Sequence, residues 1–307
     1  MITVVGSFVV DLTARTPHMP VPGETVLGRS FKLGPGGKGC NQATAAARAG
    51  SRVSLITKLG DDEFGKIAVR SLTADGINLD YTPITKDETT GTALILVDDS
   101  GENMIVVTLG ACGTITRNEV FAAEETIRKS SVVVLQLETS NEANIAAVEL
   151  AHKYGVPVIF NPAPYNGNYP KEILPMITYA TPNETEAGYM AGVEVVDDDS
   201  TLAAAAGIKK LGVQTVIITL GKRGCLVYID KSSYSFVPAF KVEAIDTTGA
   251  GDAFNGGLAH AIDTGMGIQE AVRFASAVAA ISVTRFGTAP AMPTDKEIKT
   301  FIRAEGV

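Results

Sequence analysis

Five short, uninterrupted apolar runs limit the folds open to this chain more than any other feature of its sequence. They are ITVV at 2–5, VSLI at 53–56, VVVLQL at 132–137, VPVIF at 156–160 and TVIITL at 215–220. A strand that is apolar on both faces needs cover on both faces, as strands of a parallel sheet have. The runs therefore predict a central sheet between two layers of helices.

Segments with helical spacing of apolar residues lie between these runs. They are EVFAAEETIRKS at 119–130, EANIAAVELAHKYG at 142–155 and TLAAAAGIKKLG at 201–212, and each ends near Gly or a basic residue, as crossover helices do. This alternation predicts a doubly wound, mainly parallel α/β fold. The length of 307 residues suits one large domain, 1–307, with a small appendage better than two domains.

Two stretches interrupt the alternation of strands and helices, because neither contains a crossover helix. The first is 11–34, and the second is TGTALILVDDSGENMIVVTLG at 90–110, in which two apolar runs flank a DDSGEN turn and indicate a β-hairpin. Inserted into a parallel α/β chain, such pieces predict a small antiparallel β lid. Exposed strand edges need a partner, so we expect a homodimer in which the two copies cover each other's lids.

Composition points to a small-molecule partner in a reducing compartment. The net charge is −8, the isoelectric point is near 5.0, and the basic residues are scattered, which argues against nucleic acid or an anionic membrane as partner. Cys40, Cys112 and Cys225 are too few and too far apart for a disulfide framework or a metal site, so we interpret them as packing residues. Without a signal or membrane-spanning run, the expected location is cytoplasmic.

The glycine-rich stretch GPGGKGCNQ at 34–42 resembles a phosphate-binding loop. A phosphate-loop NTPase is excluded, because that loop needs Ser or Thr after its lysine, where this chain has Gly39 after Lys38. The spacing of Gly34, Gly36 and Gly39, with Asp61 downstream, fits a dinucleotide site and so leaves a nicotinamide-dependent oxidoreductase open. Against that alternative, these glycines do not closely follow the first strand.

A second glycine cluster, DTTGAGDAFNGG at 246–257, combines an anion hole with an acid. Gly249 and Gly251 let consecutive N–H groups, including that of Ala250, converge at the start of a small-residue helix. Asp252 then lies in the first turn, where a carboxylate would repel a bound phosphate unless it serves the reaction. It fits a general base that takes a hydroxyl proton during phosphoryl transfer; the alternative is a simple helix-start charge.

These motifs, in this order, resemble the ribokinase family of ATP-dependent carbohydrate kinases over nearly the whole chain. GSFVVDL at 6–12 resembles its first sugar-binding segment, GGKGCNQ its first signature and DTTGAGDAFNGG its second. The resemblance implies that the base is Asp252, that the anion hole is formed by Gly249, Ala250, Gly251 and Asp252, and that the sugar-binding positions are Val9, Asp11, Gly37, Lys38, Asn41, Glu138 and Asp252. At Val9 the family usually has asparagine, so either 2-deoxyribose is a substrate or another group replaces the amide for ribose.

The resemblance also implies ATP, Mg²⁺ and a monovalent cation. TPNETEA at 181–187 and TLGKRGC at 219–225 resemble nucleotide-binding elements, and the implied positions are Asn183, Glu186, Thr219, Gly221, Gly224, Gly251 and Ser276, with Glu186 orienting water around Mg²⁺. The positions implied for K⁺ are Asp246, Thr248, Ser282, Arg285, Gly287 and Ala291. Ala291 departs from the usual serine, so cation activation is expected to be weaker.

The function predicted is transfer of the γ-phosphoryl group of ATP to the 5-hydroxyl of a pentose, ribose or 2-deoxyribose. The alternatives are a kinase for another sugar or nucleoside of the family, the oxidoreductase, and a non-catalytic sensor, although a sensor would be expected to have lost Asp252. His18, His152 and His260 are isolated and show no ligand spacing, so we interpret them as surface or packing residues.

Overall fold

The protein is described by a computed structural model that covers residues 1–165 and 167–306. The strands in chain order are β1 Ile2–Val5, β2 Val9–Arg15, β3 Ser30–Gly36, β4 Val53–Ile56, β5 Leu59–Gly60, β6 Ile84–Thr85, β7 Thr90–Val97, β8 Asn103–Gly110, β9 Val132–Leu135, β10 Val158–Phe160, β11 Tyr179–Ala180, β12 Thr215–Thr219, β13 Cys225–Asp230 and β14 Ser233–Val237. The helices are α1 Lys38–Arg48, α2 Glu63–Ala74, α3 Arg117–Phe121, α4 Glu124–Arg128, α5 Asn141–Lys153, α6 Glu184–Ala191, α7 Asp198–Lys210, α8 Ala250–Asp263, α9 Ile268–Ser282 and α10 Asp295–Ala304.

The five apolar runs form five strands of an eight-stranded central sheet, in the order β14-β13-β12-β11-β10-β9-β1-β4. Pairing is parallel from β4 through β12, which confirms the predicted fold class. The apolar pattern does not predict β11, which has only two residues, or the antiparallel hairpin of β13 and β14 at the edge.

Successive residues of the first strand contact different helix layers, as the apolar runs predict. Val4 belongs to a core cluster that contains residues of α1, α8 and α9. Val5 belongs to a second cluster that contains residues of α5 and α7. The sheet is therefore covered on both faces. The predicted helix at 119–130 is instead two short helices, α3 and α4, because the chain turns at Ala122–Ala123.

The segments predicted as a lid form a second, four-stranded sheet in the order β3-β2-β7-β8. The pairs β2–β3 and β7–β8 are antiparallel hairpin partners, and β2 joins β7 in parallel register, with Leu12 opposite Leu94. Many apolar side chains on this sheet are exposed: Phe31 is 64% exposed, Leu94 55% and Val106 63%. The lid thus presents an apolar surface that this chain alone leaves uncovered.

Across residues 1–165 and 167–306, every helix is too short or too polar to cross a bilayer. Cys40, Cys112 and Cys225 are buried free thiols.

Candidate active site

The candidate site lies at the carboxyl edge of the central sheet, where parallel α/β sheets bind ligands. Glu138 follows β9, Asn161 follows β10, and the N-termini of α1 and α8 reach the same edge. These groups make direct contact, since the side chains of Asn41 and Gln42 on α1 both bond to Asp252 on α8. One sheet edge and two helix starts therefore build the site.

Asp252 is a buried carboxylate in the first turn of α8, only 5% exposed. Asn41 Nδ2 donates to its Oδ2 at 2.9 Å, and Gln42 Nε2 donates to its Oδ1 at 2.9 Å. Before it, Gly249 has a φ of 77°, a conformation that favours glycine, and it is the residue from which the helix begins. The loop from Gly249 to Gly251 thus places the backbone N–H groups at the start of α8 beside a fixed acid, although the Ala250 N–H itself donates to the Thr247 carbonyl at 3.2 Å.

The loop before α1 approaches the chain after β1 so closely that side chains are excluded. A Cβ on Gly37, whose φ is 89°, would lie 2.9 Å from both Ser7 Oγ and the Val9 nitrogen. A Cβ on Gly39 would lie 2.6 Å from the Ser7 nitrogen. These glycines therefore serve close backbone packing, which brings Lys38 and Asn41 to the sheet edge.

Glu138 ties this loop to the sheet. Its Oε2 accepts a hydrogen bond from Ser7 Oγ at 2.7 Å and another from the Lys38 backbone N–H at 2.8 Å. Burial alone would lower the pKa of the Lys38 ammonium, but Asp252, Glu138 and Glu186 outweigh it, and the pKa lies above its usual range. Lys38 is thus held cationic among carboxylates.

Asp11 brings the lid into the site. Burial raises the pKa of this carboxyl to about 6, and the negative charges of Glu138 and Asp252 add to the rise, whereas the Thr288 hydrogen bond opposes it. Thr288 Oγ1 donates to Asp11 Oδ2 at 3.2 Å. Val9, at the start of the same strand, is 2% exposed and lies against Gly91 of β7.

The residues predicted to bind nucleotide gather at the next strands along the edge. Asn183 caps α6, and its backbone N–H donates to Glu186 Oε2 at 2.9 Å while its Oδ1 accepts from the Glu186 N–H at 2.8 Å. Burial raises the pKa of the Glu186 carboxyl, against the opposing effects of Asn183 and Lys38. Thr219 donates its N–H to Pro182 and so lies beside this cap.

The 219–225 loop continues the nucleotide side. Gly221 and Gly224 have φ values of 54° and 96°, and a Cβ on Gly224 would lie 2.0 Å from the Val237 carbonyl oxygen. This loop therefore requires glycine where the sequence has it. Ser276 donates to the Val272 carbonyl of its own helix, and its hydroxyl also lies beside Cys225 at the end of the loop.

The segments predicted to bind a monovalent cation are brought together by Asp246. Its Oδ1 accepts from the Thr248 N–H and its Oδ2 from the Gly287 N–H, both at 2.9 Å. Ser282 donates its hydroxyl to its own helix, and the Arg285 side chain pairs with Glu297, so cation contacts from these two positions would be backbone carbonyls. The Ala291 side chain is 2% exposed and carries no oxygen. A carboxylate with carbonyl oxygens suits a hard cation.

The protein groups available to Mg²⁺ differ from those available to the monovalent cation. Within the described residues, no group of three or more His, Cys, Asp or Glu side chains could hold a metal ion. This agrees with the way Mg²⁺ is usually held, by one or two carboxylates together with waters and substrate phosphates. The buried carboxylate of Glu186, on the side of the site that faces Lys38 and Asp252, fits such a role.

The histidines stand apart from the site. His18 pairs with Glu24 on the surface, His152 is exposed, and His260 packs against Phe274 with ring centroids 5.1 Å apart. The glycines that suggested a dinucleotide site are also explained, since Gly34 and Gly36 belong to lid strand β3 and Asp61 is exposed near Lys86. The strand that precedes α1 therefore belongs to the lid sheet and not to the parallel central sheet, on which a dinucleotide-binding loop would have to stand.

Four residues of the site were not predicted from the sequence: Ser7, Gln42, Asn161 and Thr288. Asn161 directly follows a buried apolar run, as Glu138 does, and this position could have identified it. Gln42 is a polar residue beside Asn41 in an Ala-rich helix, which is also a recognisable signal. Thr288 carried none, because its contact with Asp11 joins residues 277 positions apart.

Comparison with known proteins gives a consistent result over nearly the whole chain. The pfkB family carbohydrate kinase model matches residues 1–295. A ribokinase of Haemophilus influenzae is 40% identical over 302 residues, with 98% of each chain covered. A deoxyribokinase of Salmonella typhi is 36% identical over 301 residues, again with 98% of each chain covered.

Solved structures agree. The Arabidopsis thaliana ribokinase complexed with ribose and ATP superposes with a TM-score of 0.91 at 30% identity, covering 98% of both chains. A Thermotoga maritima ribokinase gives a TM-score of 0.89 at 34% identity, covering 98% of this chain and 99% of the other. These matches overturn the oxidoreductase alternative. The chain belongs to the pfkB family of carbohydrate kinases, enzymes that transfer a phosphoryl group to an alcohol.

Proposed function

We propose that this enzyme transfers the γ-phosphoryl group of ATP to the 5-hydroxyl of a pentose, either ribose or 2-deoxyribose. The observation that carries the proposal is the buried carboxylate of Asp252, oriented by two amide donors beside the Gly249–Gly251 loop. The relatives named ribokinase and deoxyribokinase, at 40% and 36% identity, support the pentose.

In the proposed reaction, Asp252 accepts the proton of the sugar hydroxyl while the hydroxyl oxygen forms its bond to phosphorus and the bond to ADP breaks. The N–H groups of Gly249, Ala250 and Gly251 stabilise the charge on the transferring group. Lys38, held cationic by three carboxylates, adds positive charge on the same side. Mg²⁺, when bound with the nucleotide, would neutralise phosphate charge, and Glu186 is proposed to hold its waters.

The remaining residues of the site are proposed to bind substrates. Asp11, Asn41 and Glu138 present oxygen and amide groups suited to sugar hydroxyls, and Gly37 lies close to the backbone of Val9 beside them. The residues proposed to contact the nucleotide are Asn183, Thr219, Gly221, Gly224 and Ser276. The residues proposed to hold K⁺, mainly through carbonyl oxygens, are Asp246, Thr248, Ser282, Arg285, Gly287 and Ala291.

The proposed organisation is a single domain, 1–307, with lid segments at 11–34 and 90–110. The proposed location is the cytoplasm.

A specific observation favours 2-deoxyribose as a substrate. Val9 has an apolar, 2% exposed side chain that lies against Gly91, at the position where the family resemblance expects an amide, and its backbone nitrogen lies close to Gly37. A sugar hydroxyl that meets valine loses a hydrogen bond, whereas a sugar with hydrogen at that carbon loses none. A buried main-chain group or water could serve ribose instead.

The test of the function is ATP consumption with Mg²⁺ and a panel of sugars, including ribose, 2-deoxyribose, hexoses and nucleosides. We expect turnover with at least one of the two pentoses, and product analysis should place the phosphate on O5. Turnover with hexoses or nucleosides alone would move the function elsewhere in the family, and no turnover with any acceptor would contradict the proposal.

We also propose that two copies associate through the lid. Leu33, Leu12, Leu94 and Val106 lie opposite one another across the four strands, and three of them are at least 44% exposed. Contiguous apolar surface of this kind marks an interface. Sedimentation should give a dimer for the wild type and a monomer for Leu94→Lys. The control is Val196→Lys, at a 68% exposed apolar residue outside the lid. A monomeric wild type at working concentration would contradict the proposal.

A further inference from the structure

The two oxygens of the Asp252 carboxylate accept hydrogen bonds from the side-chain amides of two different residues. Oδ2 accepts from Asn41 Nδ2, and Oδ1 accepts from Gln42 Nε2. Asn41 and Gln42 are neighbours on α1, so one turn of helix supplies both donors. The family resemblance gives a role to Asn41 as a sugar ligand but none to Gln42.

Gln42 is held from behind by buried amides. Its Nε2 also donates to Asn161 Oδ1 at 3.2 Å, and its Oε1 accepts from Gln136 Nε2 at 2.7 Å. The side chain of Gln42 is 0% exposed, as is that of Gln136, so neither is placed to touch a substrate. Both ends of the Gln42 amide are therefore engaged within the protein.

The direction of these hydrogen bonds is fixed by chemistry. An ionised carboxylate can only accept, so the NH₂ of Gln42 must face Asp252, and its carbonyl oxygen must then face the NH₂ of Gln136. Asn161 continues the chain by donating Nδ2 to the Thr181 carbonyl at 3.2 Å. Gln136 Oε1, at the far end of this network, has no partner among the described residues, but the Gln42 amide itself is bonded at both ends and is therefore held in a single arrangement.

Asn41 is less constrained. Its Oδ1 is buried and has no hydrogen-bond partner in the described part of the chain. An amide with one unpaired end can turn toward a hydroxyl at lower cost than one with both ends engaged. The donor on Oδ2 is therefore exchangeable, and the donor on Oδ1 is not.

We infer that Gln42 is a positioning residue that fixes Oδ1 of Asp252, so that Oδ2 is the oxygen that receives the proton of the sugar hydroxyl. The inference rests on the proposed role of Asp252 as base. As the sugar hydroxyl approaches, it takes the place of Asn41 on Oδ2, while Gln42 keeps the carboxylate plane in position. Misplacement of a reacting group by about 1 Å can cost about 10²-fold in rate, so an anchored oxygen matters to turnover.

The experiment replaces Gln42 by methionine, which is similar in size but cannot donate. In Gln42→Met we expect kcat to fall tenfold or more, with KM for sugar and for ATP within about threefold of wild type. The control is Thr3→Val, which removes another fully buried hydrogen bond, 2.7 Å to Ser130, away from the site. That control should lower thermal stability and leave kcat unchanged. A folded Gln42→Met enzyme with kcat within twofold of wild type would overturn the inference.

Gln42→Glu provides a second readout if methionine prevents folding. A protonated glutamic acid can still donate to Oδ1, whereas an ionised one repels Asp252. The other charged groups around Asp252, namely Asp11, Lys38, Glu138 and Glu186, are the same in both enzymes and cancel in the ratio. We expect kcat of Gln42→Glu relative to wild type to fall at least tenfold from pH 6 to pH 9. A loss that is independent of pH contradicts the inference.

The two proposals fail in different ways. If wild type phosphorylates no sugar, the proposed function is wrong. If wild type is active and Asp252→Asn is not, but Gln42→Met keeps its kcat, then the function stands and Gln42 has only a structural role.

Discussion

Asp252 on the body and Asp11 on the lid are both carboxylates of one site, yet the protein holds them differently. Asp252 accepts hydrogen bonds from two amides at 2.9 Å, one of which is anchored by the buried side chains of Gln136 and Asn161. Asp11 has one partner of this kind, the Thr288 hydroxyl at 3.2 Å, and burial raises its pKa to about 6. The body therefore arranges its acid before any substrate arrives, whereas the lid leaves its acid short of hydrogen-bond donors that a sugar could supply.

The largest expected effect separates the roles of these two carboxylates. Asp252→Asn should lower kcat by about 10²-fold or more while sugar and ATP binding change only a few-fold, since a positioned base acts on the chemical step. The matched variant Asp11→Asn should mainly raise KM for the sugar. Steady-state kinetics and equilibrium binding on both variants make the comparison. Near-normal turnover in Asp252→Asn would exclude it as base.

A second test alters the lid next to Asp11. If valine at position 9 spares a sugar that lacks a hydroxyl, then Val9→Asn should shift the ratio of kcat/KM for ribose over 2-deoxyribose toward ribose by roughly 5- to 150-fold, because an unpaired buried hydroxyl costs about 1 to 3 kcal/mol. Val9→Ala separates the effect of size from that of polarity. If the wild type strongly prefers ribose and Val9→Asn leaves the kcat/KM ratio of ribose to 2-deoxyribose unchanged, then Val9 does not determine the choice between the two sugars.

The raised pKa of Asp11 predicts a pH dependence of sugar binding. Only the ionised carboxylate accepts hydrogen bonds at both oxygens, and with a pKa of about 6 the ionised fraction falls about tenfold as pH drops from 7 to 5. KM for the sugar should therefore rise about tenfold over that range.

The Thr288 hydrogen bond favours the ionised form, so Thr288→Val should move the midpoint of this change to higher pH. The comparison between lid and body would fail if KM were flat from pH 7 to 5 in the wild type. It would also fail if Asp11→Asn kept the same pH profile of KM, because the titration would then belong to another group.

Sequence alone predicted the body of this protein better than its connections. The apolar runs became strands because each must bury both faces, and Asp252 and Glu138 were identifiable because motif and strand end placed them. The parallel pairing of β2 with β7 depends on residues about 80 positions apart, and nothing local specifies it. Thr288 and Gln136 act through contacts of the same kind, which only the folded chain brings together.

The smallest expected effect concerns the segments around Asp246 and Gly287 that are predicted to bind a monovalent cation. Their hydrogen bonds connect the body of the protein to the lid. Asp246 accepts hydrogen bonds from Thr248, next to the proposed anion hole, and from Gly287, one residue from the Thr288 that contacts Asp11. A bound K⁺ would hold both segments in one arrangement, and so order the amides of residues 249–251. We expect K⁺ to raise kcat a few-fold over a buffer of matched ionic strength that contains tetramethylammonium.

Ala291→Ser tests whether that coupling is limited by a missing ligand. The added hydroxyl would lie at a 2% exposed position on a segment whose Ala289 and Met292 carbonyls are held by Arg48 at 3.0 and 3.1 Å, so it would be well ordered. We expect a larger K⁺ activation and a lower half-saturating K⁺ concentration than in wild type, with kcat in tetramethylammonium unchanged. Identical rates in K⁺ and tetramethylammonium for both enzymes would show that K⁺ does not activate this protein. The segments around Asp246 and Gly287 would then be joined by the Asp246 hydrogen bonds alone.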